Sequence, residues 1–143
     1  MEGFRHVTPI AVRFRDVDAM GHVNNAVFLT YMETARVEYV RHQILRETQV
    51  RSFADTFGLI LAKITCDFKS PIYYGQQVEV GTRVAEMRNS SFVFEQRIEA
   101  DGQLAALAEV VVVHYDYQAG KSVRIPDDTR NRVQTFERGG DVS

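Results

Sequence analysis

Residues 25–44 read NAVFLTYMETARVEYVRHQI and carry a clear helical pattern. Neither Gly nor Pro interrupts them, and their apolar residues recur at spacings of three and four: Val27, Phe28, Tyr31, Met32, Ala35, Tyr39, Val40 and Ile44. This spacing places the apolar side chains on one face of a helix. Because Asn is favoured at the residue before a helix, the pattern predicts a helix of roughly five turns that begins at the pair Asn24-Asn25.

Alternating apolar residues on both sides of this helix predict strands. Before it, Ile10, Val12 and Phe14 alternate with other residues, and the polar stretch 15–21, which contains Gly21, ends that strand in a loop. After Gly58 a second strand is predicted, closed by Pro71, with one shared face made by Ile60, Ala62, Ile64, Cys66 and Phe68.

Three further strands and a short helix complete the predicted order. Strands are expected over 78–84 and 92–98, and a strong hairpin turn at Asp101-Gly102 leads into an apolar strand over 104–113. Residues 127–136 predict a short terminal helix, and the polar tail 138–143 is expected to fray. The short connections between the later strands favour antiparallel pairing.

One long helix laid on a curved, five-stranded antiparallel sheet is the expected architecture, an α+β fold in which residues 1–143 form a single domain. The strand over 104–113 is apolar on both faces apart from Glu109. A single helix covers only one face of the sheet, so Leu107, Val111 and Val113 need another cover. A second copy of the chain would supply it, and a homodimer is therefore predicted.

Composition limits the possible functions. The chain has 143 residues, 45% of them hydrophobic and 25% charged, as expected of a folded domain, and its formal net charge of -2 gives no basic footprint for nucleic acid. No run approaches the roughly 18 apolar residues of a membrane span, and the N-terminus lacks the apolar run of a signal peptide. The single cysteine, Cys66, suits a reducing compartment, so the expected location is the cytoplasm.

The stretch that carries chemistry lies just before the long helix: residues 12–25 read VRFRDVDAMGHVNN, and YMETAR follows at 31–36. A helix N-terminus presents unpaired N–H groups and the positive end of the helix dipole, which suit a developing oxyanion. The backbone N–H of Asn25 is the candidate donor. Gly21 would let the chain bend closely past a substrate, and Asn24 lies between them at the helix start.

This stretch resembles the signature of the 4-hydroxybenzoyl-CoA thioesterase family of hotdog-fold proteins, which runs Asp-x-Asp-x-x-Gly-x-Val and continues into a helix with Glu-x-Ala-Arg. The resemblance implies a hotdog fold and hydrolysis of an acyl-CoA or similar pantetheine thioester to a carboxylic acid and a thiol. It also implies that Asp18 is the catalytic carboxylate, either attacking the thioester carbonyl or activating a water as general base. An aspartate that only caps a turn is the structural alternative.

Other residues of the stretch have both functional and structural interpretations. His22 follows Asp18 closely enough to hydrogen-bond a reacting group or orient the carboxylate, whereas a histidine that only packs or faces solvent is the alternative. Asp16 is expected to be a solvated or turn-stabilising carboxylate. Glu33 and Arg36, at i and i+3, predict an ion pair on the helix. The His-Val-Asn-Asn form at 22–25 resembles the fatty-acyl branches of the superfamily more than the benzoyl-type branch.

A second constellation, RNSSF at 88–92, opens a predicted strand. In the hydroxybenzoyl-CoA enzymes a basic cluster stands at the similar position, before a Ser-Phe pair, and its cations hold the nucleotide phosphates of CoA. The resemblance therefore implies that Arg88, Ser91 and Phe92 bind substrate. Because only Arg88 remains of the cluster, either CoA is held more weakly or an acyl-carrier protein presents the pantetheine.

Several classes of enzyme are disfavoured. The chain has neither a Gly-rich phosphate loop nor a Gly-x-Ser-x-Gly elbow, and His6, His42 and His114 are scattered, so no cofactor or metal site is expected. Two rivals on the same fold stay open: a non-catalytic acyl-thioester-binding protein, and a dehydratase, which usually needs a catalytic His paired with an acid across the dimer. Acyl chain length, the thioester donor and assembly of dimers into homotetramers also stay open.

Overall fold

A computed structural model describes residues 1–45 and 58–139, so the end of the predicted frayed tail, 140–143, lies outside the described residues. In chain order the elements are β1 (His6–Ile10), a 3-10 turn (Phe14–Asp16), α1 (Asn25–Tyr39), a π-helical turn (Val40–Leu45), β2 (Leu59–Phe68), β3 (Val78–Met87), β4 (Ser91–Ala100), β5 (Gln103–Asp116), β6 (Lys121–Ser122) and α2 (Asp127–Glu137). Within these ranges no helix is long and apolar enough to cross a membrane.

The strands form one antiparallel sheet in the order β1-β3-β4-β5-β2, and the two-residue β6 pairs with the end of β5. The predicted number of five strands in the main sheet and their antiparallel pairing are confirmed. Strand β6 was not predicted, since two residues are too few to show a period. The turn at Asp101-Gly102 is also confirmed: both residues have positive φ, 50° and 79°, as the tight hairpin requires.

Helix α1 begins where the sequence predicts. The side chain of Asn24 caps it by accepting a hydrogen bond from the amide of Ala26 at 2.8 Å. The buried face of α1 packs on the sheet and includes Phe28, Tyr31, Met32, Ala35 and Tyr39. The π-helical turn continues this face through Ile44, so the predicted length of roughly five turns is also confirmed.

The first strand lies earlier than predicted. It spans His6–Ile10 and pairs with β3, whereas Phe14 belongs to the 3-10 turn and is 81% exposed. The alternation that continues to Phe14 is therefore not a strand pattern. The backbone leaves the sheet after Ile10, and the side chain of Asp16 accepts a hydrogen bond from the amide of Arg13, which closes the turn.

The predicted face of β2 is wrong in its first half. The register against β5 shifts between Leu61 and Lys63, so Ala62 is an extra residue, a β-bulge. Cross-strand partners share a face, and Leu61 lies opposite the buried Val112 whereas Ile60 lies opposite Val113. Leu59 and Leu61 therefore face α1 together with Ile64, Cys66 and Phe68, and Ile60 faces the other side of the sheet.

The predicted terminal helix is confirmed as α2, and one carboxylate fastens its end to the core. Glu137 Oε2 accepts a 2.6 Å hydrogen bond from the buried Tyr39 hydroxyl and a 2.8 Å bond from the amide of Val84. Val84 stands where β3 has a register shift, so its amide is available for this contact. These bonds connect α1, β3 and α2.

Candidate active site

The residues around Asp18 form the tip of a small hairpin. Val17 and Val23 make an antiparallel bridge, and inside it the amide of Asp18 donates to the carbonyl of His22 at 3.0 Å. The amide of Gly21 donates back to the Asp18 carbonyl at 3.0 Å, and Gly21 has a φ of 91°, which L side chains rarely adopt. The order of residues in this stretch therefore produces a tight, hydrogen-bonded loop.

Two further backbone bonds hold this loop between the sheet and α1. The amide of Val23 donates to the carbonyl of Ile72 at 2.8 Å, and both side chains are fully buried. The amide of Asn24 donates to the carbonyl of Asp16 at 3.0 Å. The loop is thus fixed against the segment after β2 on one side and at the start of α1 on the other.

The buried side chain of Asp16 stabilises the loop. It is 2% exposed, and its carboxylate accepts bonds from the Arg13 amide at 2.9 Å, the Arg13 guanidinium at 3.1 Å and the Tyr31 hydroxyl at 2.8 Å. Burial raises the pKa of Asp16, but these hydrogen bonds together outweigh it and hold the pKa below its usual value. The turn-stabilising interpretation is confirmed, and the expectation of a solvated Asp16 is wrong.

Asp18 is half-buried at the edge of the loop. Its Oδ1 accepts a hydrogen bond from the amide of Met20 at 2.9 Å, an Asx turn of the kind expected for a turn-capping aspartate. Oδ2 has no hydrogen-bond partner among residues 1–45 and 58–139. One carboxylate oxygen therefore fixes the side chain while the other is available to a substrate or a water.

A cleft of about 240 Å³ opens beside this loop, and its lining residues come from the loop, α1 and the end of β2: His22, Val23, Asn25, Phe28, Phe68, Lys69, Ser70 and Pro71. The Phe28 and Phe68 rings meet edge to face, 5.3 Å between centroids, and give the cleft an apolar wall. His22 Nδ1 lies 3.2 Å from the Val23 carbonyl, which can only accept, so Nδ1 carries a proton in this contact. In the neutral ring Nε2 is then the acceptor.

Asn25 contributes its backbone to the same cleft. As the first residue of α1 it has no acceptor within the helix, and its N–H finds none elsewhere in the described part of the chain. Its neighbour Asn24 uses its side chain for the Ala26 cap. The N–H of Asn25, at the positive end of the helix dipole, is therefore open to an anionic oxygen.

The predicted site residues separate into two groups within one chain. Five belong to the loop and the helix start: Asp18, Gly21, His22, Asn24 and Asn25. The others, Arg88, Ser91 and Phe92, lie at the opposite end of the sheet, because Ser91 pairs with Val113 of β5 whereas Phe68 pairs with Ala106. The seven steps along β5 from residue 106 to residue 113 correspond to roughly 23 Å.

The members of the distant group also differ in accessibility. Ser91 and Phe92 are buried inside the chain, so neither side chain lines a surface. Arg88 is exposed, and its Nε lies 3.4 Å from a carboxylate oxygen of Glu86. Of this group only Arg88 is open to a ligand from outside.

Sequence reasoning missed the cleft residues Phe28, Phe68, Ser70 and Pro71 as site residues. Phe28 and Phe68 had been assigned to the apolar faces of a helix and a strand, which is where they lie. Their meeting depends on the packing of α1 against the end of β2, and no local pattern specifies that contact. Lys69, next to Ser70 in the chain, also lines the cleft.

The predicted ion pair between Glu33 and Arg36 does not form among the described residues. The Arg36 guanidinium turns into the protein and donates to Gln96 Oε1 at 3.0 Å. Gln96 in turn donates to the Met32 carbonyl and the Thr82 hydroxyl. The helical spacing permits an ion pair, but burial of Arg36 against β4 overrides it. In the described ranges no group of three or more His, Cys, Asp or Glu side chains is placed to hold a metal ion.

Comparison with known proteins places this geometry in a family. The model of the thioesterase-like superfamily matches residues 12–133, which include the loop, α1 and all strands after it. The acyl-CoA thioester hydrolase YbgC of Escherichia coli O6:H1 is 34% identical over 109 residues, 76% of this chain and 80% of that protein. The acyl-CoA thioesterase YbgC of Haemophilus influenzae is 28% identical over 85% of this chain and 89% of its own length.

A solved structure supports the same assignment. A thioesterase from Thermus thermophilus, crystallised with coenzyme A and zinc, superposes with a TM-score of 0.85 at 36% identity and covers 96% of this chain and 98% of that one. The sequence-based expectations of a hotdog fold and of this family are therefore confirmed. The chain belongs to the thioesterase-like superfamily.

Proposed function

We propose that this protein hydrolyses an acyl-CoA, or an acyl group carried by an acyl-carrier protein, to a carboxylic acid and a free thiol, with Asp18 as the catalytic carboxylate. The observation that carries the proposal is the tight loop that holds Asp18 next to His22, which lines the cleft together with Asn25. The family assignment supports it, and two of the relatives described above are named as acyl-CoA thioester hydrolases or thioesterases.

The cleft suits a thioester. The carbonyl oxygen would lie against the Asn25 N–H, where the helix dipole stabilises negative charge as it develops. The first carbons of the acyl group would pack on Phe28 and Phe68, and His22 Nε2 would accept a hydrogen bond from a polar group of the substrate or a water. Lys69 at the rim adds a cation near the entrance.

Two chemical routes use this arrangement. In the first, Asp18 takes a proton from a water whose oxygen bonds to the thioester carbon; the tetrahedral oxyanion collapses, the C–S bond breaks, and the thiolate takes the proton from Asp18. In the second, Asp18 itself attacks the carbon and expels the thiolate, and water then hydrolyses the acyl-aspartyl anhydride. Turnover in heavy-oxygen water labels the Asp18 side chain only if the anhydride forms.

The proposal includes a homodimer. Strand β2 is an edge of the sheet, and its inward residues Leu61 and Phe68 are 49% and 44% exposed in the single chain. Antiparallel pairing of two β2 strands about a two-fold axis would cover them and join the sheets. The Phe68 end of one β2 then lies beside the Leu59 end of the other, so Arg88 comes towards the partner's cleft.

This arrangement would build each active site from two chains. The buried Ser91 and Phe92 would then support this end of the sheet from within the core. Arg88 would contact the nucleotide of CoA or the carrier protein. The outward residues Leu107 and Val111 stay half-exposed in such a dimer and offer a surface for a tetramer. A cytoplasmic location remains our prediction, because the only cysteine suits a reducing compartment.

The test is a hydrolysis panel of short, medium, long and aromatic acyl-CoAs, and of one acyl-carrier protein, in which the released thiol is measured. The expected result is turnover of at least one aliphatic substrate, abolished in Asp18→Asn. A folded protein that binds these thioesters without releasing thiol would overturn the proposal in favour of a non-catalytic acyl-binding protein.

A further inference from the structure

A second cavity lies farther along the seam between α1 and β2, and we name it the seam cavity. Its volume is about 210 Å³. Aliphatic side chains form much of its wall, namely Val37 of α1, Val40 of the π-helical turn and Leu59 and Leu61 of β2. Glu33 and Arg36 supply its charged groups. A mostly apolar cavity with a few placed polar groups is the usual form of a small-molecule pocket.

Arg36 is the unusual group in this wall, since it is a charged residue that is only 9% exposed. One guanidinium nitrogen donates to Gln96, while Nε and Nη2 have no hydrogen-bond partner in the described part of the chain. No carboxylate in the described part of the chain lies at ion-pair distance from the Arg36 guanidinium. Burial lowers the pKa of Arg36 and the nearby Glu33 charge opposes this, so the remaining guanidinium donors are available to an acceptor inside the cavity.

The seam cavity is aligned with the cleft at Asn25. Both open on the side of α1 that faces β2, the cleft beside Phe68 and the seam cavity beside Leu61. The eight steps along α1 from Asn25 to Glu33 correspond to roughly 12 Å. Helical side chains also lean towards the N-terminus, which brings Arg36 nearer to the cleft. An acyl group with its carbonyl at Asn25 would reach the seam cavity with its far end.

The charged side chains of Arg36 and Glu33 limit the chemistry of the distal end of the acyl group. A purely alkyl end would leave the Arg36 donors without an acceptor, and a carboxylate end would be repelled by Glu33. A hydroxyl group satisfies both, because it accepts from the guanidinium and donates to the carboxylate. We propose that the seam cavity holds the distal end of the acyl group and that Arg36 and Glu33 select a hydroxyl there, which makes hydroxylated medium-chain acyl thioesters the preferred substrates.

This inference rests on the proposed thioesterase function, and one comparison separates the two. The wild-type values of kcat/KM are measured for ω-hydroxydecanoyl-CoA and decanoyl-CoA, with the eight-carbon and twelve-carbon homologues of each. We expect the hydroxylated member of at least one pair to be preferred by about tenfold or more. Hydrolysis of both members at equal rates overturns the inference alone, whereas no hydrolysis of any thioester overturns the proposed function.

A charge variant tests the assignment to Glu33. Glu33→Leu should bring the ratio of kcat/KM between the hydroxylated and plain substrates close to one. Glu38→Leu is the matched control, since Glu38 also lies on α1 but pairs with Arg41 and His42. The control should keep the wild-type ratio. An unchanged ratio in Glu33→Leu, or an equal fall in both variants, contradicts the role given to Glu33.

A filling variant tests the cavity itself and does not disturb its charges. Leu61→Trp should lower the ratio of kcat/KM between each ten-carbon substrate and acetyl-CoA about tenfold or more, since only the longer chains reach the cavity. Ile60→Trp, on the other face of the same edge strand, is the control. If the two variants behave alike, the losses come from the strand edge and the seam cavity does not hold the acyl group.

Discussion

The Tyr31 hydroxyl donates a 2.8 Å hydrogen bond to Oδ2 of the buried Asp16, two residues before Asp18. The same aspartate accepts the amide of Asn24 on its main-chain carbonyl at 3.0 Å. Asp16 thus fixes the distance between the loop that carries Asp18 and the start of α1. It is a positioning residue, and its charge state should govern both the stability and the order of the loop.

The first prediction concerns the acid stability of the fold. Because the pKa of Asp16 is held below its usual value in the folded chain, its contribution is present above the unfolded carboxyl pKa of about 4 and is lost as the pH falls through the lower, folded value. Asp16→Asn should lower the free energy of unfolding by about 1–3 kcal/mol at neutral pH. The difference between wild type and variant should shrink below about pH 4. Urea unfolding at a series of pH values measures both quantities.

Tyr31→Phe is the companion variant. It removes one hydrogen bond to the carboxylate but leaves the three bonds from the Arg13 amide and guanidinium, so we expect a smaller loss, about 1 kcal/mol. For Asp16→Asn, the loss of unfolding free energy relative to wild type should depend on pH. If it stays constant across the whole acidic range, the carboxylate charge is not what stabilises the loop.

The second prediction concerns Arg88 and the donor of the thioester. If Arg88 contacts the CoA phosphates, Arg88→Ala should raise KM for acyl-CoA and leave kcat nearly unchanged, because the contact is remote from the reacting carbon. An acyl-pantetheine without the nucleotide should show no such change. Steady-state kinetics on the two substrates measure the difference.

Arg97→Ala is the matched control, since Arg97, like Arg88, is an arginine of the sheet region paired with a nearby glutamate, here Glu99. It should leave both KM values unchanged. Equal losses on acyl-CoA and acyl-pantetheine in Arg88→Ala would assign Arg88 to structure, and no loss on either would point to another phosphate site, such as Lys69.

The third prediction concerns assembly. The open edge of β2 leads us to expect at least a dimer at micromolar concentration in sedimentation, and a loss of specific activity on dilution. Mixing Asp18→Asn chains with Arg88→Glu chains should restore part of the activity, because a mixed dimer contains one site with both residues intact. A strictly monomeric, fully active protein would contradict the shared site. Failure of mixing alone would mean that Arg88 does not face the partner's cleft.

Local rules explain what the sequence predicts well. The start of α1 follows from the capping Asn24 and a 3.6-residue apolar period, and the hairpin at Asp101-Gly102 follows from residues that adopt positive φ. The loop residues Asp18, His22 and Asn25 are near one another in sequence, so a tight turn is enough to bring them together. Such features depend on a few neighbouring residues.

Longer-range contacts explain the errors. Phe14 continues an alternating pattern, but the chain has already left the sheet, and one bulge at Ala62 reverses the faces of the first part of β2. Arg36 has the spacing for an ion pair with Glu33, yet its burial against Gln96 decides its position. The wall that Phe28 and Phe68 form depends in the same way on the packing of α1 against β2.

The central claim, that the Asp18 carboxylate does the chemistry, is tested most directly by kcat in Asp18→Asn. The amide keeps an oxygen for the Met20 turn, so the loop should stay folded, and circular dichroism with thermal unfolding checks this. Asp101→Asn, which changes another turn carboxylate that caps the Gln77 amide, is the control and should keep wild-type turnover. The account predicts that Asp18→Asn lowers kcat by at least about 100-fold. Near wild-type kcat in a folded Asp18→Asn protein would contradict it.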